Sequence, residues 1–148
     1  MIMKKTILLL SLLLATLAPV FAQELNATDL LTTINKEGKI ALYINFETSK
    51  AEINPESQGI IEQVAKMLEL DKSLKISVEG HTDNAGNPKT NQKLSESRAN
   101  AVMQGIVAKG ISKARLSAKG WGAAQPLADN NTEDAKARNR RVEIVKMK

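Results

Sequence analysis

Four stretches of this chain alternate apolar and polar residues with period two, and helical stripes separate them; few architectures satisfy that order. Ile40, Leu42, Ile44 and Phe46 alternate with Ala41, Tyr43, Asn45 and Glu47, which makes a strand with one buried face. Leu74, Ile76 and Val78 alternate with Lys75, Ser77 and Glu79. Leu116 and Ala118 mark a short third strand, and Val142 and Ile144 a fourth within residues 139–146. After the first strand, Asn54-Pro55-Glu56 reads as a capped helix start. Behind it Ile60, Ile61, Val64, Met67 and Leu68 recur at helical spacing. Residues 91–109 form the longest helix, with Leu94, Ala99, Val102, Met103 and Ile106 as its apolar side and Gly110 at its end. A polar stretch at 129–134 leads into a brief helical turn. The order β-α-β-α-β-(α)-β with half-exposed strands predicts an α/β (α+β) two-layer sandwich, one sheet with its helices on a single face.

The first residues are an address. Lys4 and Lys5 precede an uncharged, mostly apolar run at 7–18, and small Val20 and Ala22 follow. Together these make a secretory signal, residues 1–22, with cleavage expected after Ala22. The run is shorter than the roughly 20 apolar residues of a membrane-spanning helix. Residues 23–37 are expected as a short polar lead in which Leu30, Leu31 and Ile34 make one weakly amphipathic stretch. It is too short for a transmembrane barrel. The chain has no cysteine, and Gln23 stands where a bacterial lipoprotein needs one. The expected mature protein is therefore soluble, exported to the periplasm and without a lipid anchor. Residues 38–148 form its single domain, large enough for one core.

Composition and motifs remove several function classes. Lys4 and Lys5 leave with the leader, so a formal charge of +5 falls by two, and aromatic residues are only 3% of the chain. Neither the charge nor the aromatic content suits a nucleic-acid surface. Arg138, Arg140 and Arg141 make a basic cluster, but on an exported chain that cluster does not argue for nucleic acid. There is one histidine, His81, no Gly-x-Ser-x-Gly elbow and no phosphate loop. The chain is not expected to be an enzyme, and no cofactor is implied. His81 and Asp83 lie two apart, but no metal-ligand set is evident from spacing. His81 therefore reads as a structural hydrogen-bonding residue.

Asp83 and Arg98 are the sharper feature. Asp83 follows a strand end, where α/β sheets hold ligands. Arg98 shares a helical stripe with Asn91, Leu94 and Val102, so it faces the body of the domain and calls for a carboxylate. Spacing leaves two readings open: a structural ion pair between them, or two charges held apart for a ligand.

Three ordered blocks carry a resemblance. Gly80-His81-Thr82-Asp83-Asn84-x-Gly86, then Asn91-x-x-Leu94-Ser95-x-x-Arg98-Ala99, then Asn139-Arg140-Arg141-Val142-Glu143-Ile144 resemble the signature of the OmpA C-terminal family. The similarity covers roughly residues 38–148. It implies a mixed four-stranded sheet with helices on one face. It also implies non-covalent binding of the peptidoglycan stem peptide through its meso-diaminopimelate. By that resemblance Asp83 takes the ligand's ammonium, Arg98 its carboxylate, and Arg140 supports the site. Thr82, Asn91 and the backbone around Leu94 line it. Two places depart from the family pattern: Phe46-Glu47-Thr48-Ser49 stands for Phe-Asp-x-Asp, and Ala135-Lys136 for Gly-Arg. The rival expectation is a module of the same fold that docks another envelope protein through its lead and its altered loop.

Overall fold

The computed structural model describes residues 25–148, and the expected leader, residues 1–22, lies outside them. The regular elements are α1 (Ala27–Glu37), β1 (Lys39–Leu42), α2 (Gln58–Leu70), β2 (Ile76–His81), α3 (Pro88–Ala108), β3 (Leu116–Gly120), α4 (Glu133–Asn139) and β4 (Arg141–Lys146). None of the described helices is long and apolar enough to cross a membrane.

The strands form one mixed sheet in the order β1-β4-β2-β3. β4 runs antiparallel to both of its neighbours, and β2 pairs with β3 in parallel. Val78 faces Ile144 across one pair, and Ile144 faces Ile40 across the other. Period two then places Leu42, Ile76, Val78, Val142 and Ile144 on one face. They join Ile61, Val64, Met67 and Leu68 of α2 and Ala99, Val102 and Ile106 of α3 in a single buried core. The two-layer mixed sandwich is the expected fold.

Several local readings change. The lead is not loose: α1 is a capped helix whose Ala27, Leu30 and Ile34 are buried. The Asn26 side chain accepts the Asp29 N–H at 2.9 Å. Gly38 then ends the helix at φ 78°, a left-handed turn that suits glycine. Burial of one stripe on the core, with both ends capped, orders a segment whose composition is polar. Asn54 makes no cap hydrogen bond; Pro55–Ser57 is a 3-10 turn and α2 starts at Gln58. α3 starts earlier than its apolar stripe, because Asn87 accepts from the Lys89 and Thr90 N–H groups with Pro88 in the first position. β1 is shorter than its alternation. Past Leu42 the chain stays extended, so Ile44 remains buried, and Phe46 bridges Ile53 outside the sheet.

Arg115 was not singled out by pattern, yet it ties two elements together. Its guanidinium donates to the Leu68, Asp71 and Leu74 carbonyls at 2.7–3.0 Å. A cation thus closes the C-terminal end of α2.

The seating of α3 sets where the site lies. A Cβ on Gly80 would collide with the Ser95 carbonyl, and one on Gly120 with the Glu96 amide nitrogen. The helix therefore lies in backbone contact with β2 and β3. The Ser95 hydroxyl accepts the Gly122 N–H at 2.9 Å beside this contact. Gly80→Ala is expected to lower the unfolding free energy by about 2–3 kcal/mol, since backbone must shift to make room. Gly59 of α2 has nothing within 4 Å of an added Cβ, so Gly59→Ala should stabilise by roughly 0.5–1 kcal/mol. Urea denaturation of both variants checks this, and an unaltered Gly80→Ala midpoint would mean that α3 can lift off the sheet at no cost.

Candidate functional site

β2 ends at His81 and the chain turns through Thr82 and Asp83. On the neighbouring strand, Arg140 precedes the first residue of β4, and α3 carries Arg98 past the same end of the sheet. The turn is pinned on both sides. The Thr82 N–H donates to the Gly122 carbonyl at 2.8 Å, and the Trp121 N–H to the Gly80 carbonyl at 2.9 Å. The Thr82 hydroxyl donates to the Asp83 carbonyl at 2.8 Å. The Asn91 amide donates to the Ala85 carbonyl at 2.8 Å and reaches the Asp83 carbonyl at 3.5 Å.

The start of β4 is held as firmly. Asn139 is fully buried and accepts the Leu127 and Ala128 N–H groups while its amide donates to the Ala128 carbonyl and to Asn130. Every hydrogen-bonding position of that side chain is therefore used, as burial requires.

Asp83 is paired, but not with Arg98. Its Oδ2 accepts Arg140 Nη1 at 2.8 Å, and its Oδ1 accepts the Ala85 N–H at 2.9 Å. Arg140 Nη2 also donates to Glu133 at 3.0 Å. Burial opposes ionisation of Asp83. The hydrogen bonds from Arg140 and Ala85, with the charges of Arg140 and Lys136, outweigh it and hold the carboxyl below its ordinary value.

Arg98 turns to the loop after β1. Its Nε donates to the Lys50 carbonyl at 3.0 Å, and its guanidinium carbon lies 4.8 Å above the centre of the Phe46 ring. No carboxylate lies within ion-pair distance of it among the described residues. Burial, together with the nearby charge of Arg140, pushes this guanidinium down from its ordinary value.

Arg98, Arg140 and Arg141 line one cleft of about 330 Å³ with Tyr43, Asn45 and Phe46, and His81 also borders it. Arg140 is balanced by Asp83 and Glu133, and Arg141 by Glu143 at 2.9 Å. Of these three, Arg98 has no carboxylate partner among the described residues. A pocket so built attracts an anion at Arg98 and offers an aromatic and amide wall beside it.

Of the expected residues, the structure brings Arg98 and Arg140 to the cleft wall and joins Asp83 to it through Arg140. Thr82 and Asn91 are not among the lining residues; they brace the loop that carries Asp83. Leu94 is half-buried on α3 and likewise outside the lining. Tyr43 and Asn45 were missed because period two assigned them to the polar side of a strand. A signal did exist, since Tyr43 is the only tyrosine of the chain and is 50% exposed. His81 does not act as a hydrogen-bonding residue: neither ring nitrogen has a partner among the described residues. Burial, then the charge of Arg141, push its imidazole down to about 4 against the pull of Glu143 and Glu79, so it is neutral at pH 7.

A model described as the OmpA family matches residues 45–140. Outer membrane porin F of Pseudomonas aeruginosa is 40% identical over 106 residues, 71% of this chain and 30% of that protein. The chain spans less than a third of the length of the porin relatives it matches. Among solved structures, the peptidoglycan-associated lipoprotein of Burkholderia pseudomallei aligns with TM-score 0.64 at 27% identity, over 72% of this chain and 89% of that one. The C-terminal domain of MotB from Helicobacter pylori aligns with TM-score 0.66 at 28% identity, over 72% and 83%.

The Asp83–Arg140 pair has a pH signature. A depressed folded-state value means the stabilisation is present above the unfolded value of about 3.9 and is lost as pH falls through the folded one. The stability difference between wild type and Asp83→Asn should therefore shrink as pH is lowered from 5 toward 2. In Arg140→Ala, the carbon-13 titration of the Asp83 carboxyl should move upward, because burial is then less opposed. An unmoved midpoint would remove Arg140 as the cause.

Proposed function

The chain belongs to the OmpA family, and from that premise we propose that it is a non-catalytic peptidoglycan-binding protein of the bacterial envelope. Its ligand in this reading is the meso-diaminopimelate of the stem peptide, held without a covalent bond. The observation that carries the reading is Arg98, a half-buried guanidinium on the wall of a cleft with a carbonyl and a ring for company and, among the described residues, no carboxylate. A ligand carboxylate supplies the missing charge. The likeness to a peptidoglycan-associated lipoprotein supports peptidoglycan as the target.

Diaminopimelate carries an ammonium and a carboxylate on one carbon, so opposite charges that do not quench one another suit it. Arg98 takes the carboxylate. Asp83 has two of its roughly four lone-pair positions engaged, by Arg140 and Ala85, and keeps capacity for the ammonium. Arg140 fixes the direction of Asp83 and offsets its charge until the ligand arrives. Thr82 and Asn91 hold the Asp83 loop. Each bond to a charged group contributes about 1.5–3 kcal/mol net. Two or three of them give micromolar binding, about −8 kcal/mol. That strength suits a reversible tether. The expected leader places this work in the periplasm.

Calorimetric titration with a stem peptide containing meso-diaminopimelate tests the reading. Binding should be in the micromolar range. Arg98→Ala and Asp83→Ala should each weaken it by roughly 2–3 kcal/mol, about 30- to 150-fold, with folding intact. Wild-type protein that is folded and gives no heat would overturn the ligand assignment and favour docking to another envelope protein. Binding indifferent to both substitutions would overturn the site.

A further inference from the structure

The face of the sheet turned away from α2 and α3 holds a second cluster that the cleft does not explain. β4 and β2 are in register at Glu79 opposite Glu143 and His81 opposite Arg141. Glu79 and His81 are two apart on one strand, so they share that face. One carboxylate oxygen of Glu79, one of Glu143 and a ring nitrogen of His81 lie within 4.8 Å of one another. His81 is 3% exposed, with both nitrogens lacking a hydrogen-bond partner among the described residues, and its Nε2 lies 3.6 Å from Glu143 Oε2. A buried imidazole left without partners beside two carboxylates is costly unless something occupies the space between them.

The surroundings orient the acids. Trp121 Nε1 donates to Glu79 Oε2 at 2.7 Å, and Arg141 Nε to Glu143 Oε1 at 2.9 Å. Each carboxylate thus has one oxygen held by a protein donor and one left for a ligand. This is how outer donors position metal-binding groups. Lys39 is the competing cation at the rim, its Nζ 3.8 Å from Glu143 Oε2, and its side chain is 57% exposed and can turn away.

We propose that Glu79, His81 and Glu143 form a binding site for a divalent transition-metal ion of the zinc class. One nitrogen and two oxygens suit a borderline ion, whereas magnesium prefers an all-oxygen octahedral shell. The three donors close on the ion by small side-chain movements, and a fourth position stays open. Spacing shows no such set because Glu143 is far from His81 in sequence and only the β2–β4 register unites them. The inference does not rest on peptidoglycan binding: His81 borders the cleft, but neither Arg98 nor Asp83 belongs to the cluster.

The chain has one histidine and one tryptophan, and both report on this cluster. Purified chain without a histidine tag is titrated with zinc chloride alone. The nitrogen-15 resonances of the imidazole and the fluorescence of Trp121 are then followed. One-to-one saturation at micromolar zinc is expected, with a metallation shift on a His81 ring nitrogen and a matching change at Trp121. Glu79→Gln keeps an acceptor for Trp121 and removes a charged ligand, so it should weaken binding at least tenfold; His81→Gln should weaken it more. Unmoved His81 resonances at 100-fold zinc excess would overturn the proposal on wild-type protein alone. Zinc affinity unchanged in both variants would overturn it as well.

Discussion

Everything at the functional end of this molecule depends on where β4 sits. The last strand is central, between β1 and β2 and antiparallel to both. Its inward residues, Val142 and Ile144, belong to the core, so a slip of one residue would turn the charged face inward and the apolar face out. That penalty fixes the register, and the register then delivers Arg140 to Asp83 across 57 residues of chain. It also sets Glu143 opposite Glu79. Asn139, buried with all its polar positions satisfied, secures the point where the strand begins.

Three guanidiniums share the cleft and differ in what neutralises them. Arg141 is buried and balanced by Glu143, a pair whose stability rests on complete hydrogen bonding because desolvation of both charges is costly. Arg140 is partly exposed and bridges Asp83 and Glu133. Arg98 is left with a carbonyl and an aromatic ring. Those contacts satisfy its geometry without cancelling its charge, and the cost of that imbalance falls on the folded state. The proposed function assigns an anion to this unsatisfied charge, and the backbone contact of α3 at Gly80 and Gly120 holds it in place.

Much of this was legible in the chain. Period two marked the strands, and a helical stripe marked α2 and α3, because burial on one face writes itself into local spacing. Asp83 and Arg98 could be named from a strand end and an inward helical stripe, whereas Arg140 was named only through the resemblance to the OmpA family. Other features were not legible. α1 was read as a lead because a polar helix is ordered here by packing, not by composition. Asn54 looked like a cap, yet the helix starts one turn later. Spacing left open whether Asp83 pairs with Arg98 or stands apart from it, and could not show that Arg140, 57 residues away in the chain, is the partner.

By itself the sequence determined the layer arrangement and the charge types available at one end of the sheet. Those follow from local periodicity and from side-chain chemistry, which the chain carries residue by residue. Only the tertiary structure decided which charges cancel. It paired Asp83 with Arg140, left Arg98 without a carboxylate among the described residues, and gathered Glu79, His81 and Glu143 on one face of the sheet. Such choices depend on strand order and register. Those are settled by the whole core closing at once, and no local spacing records them.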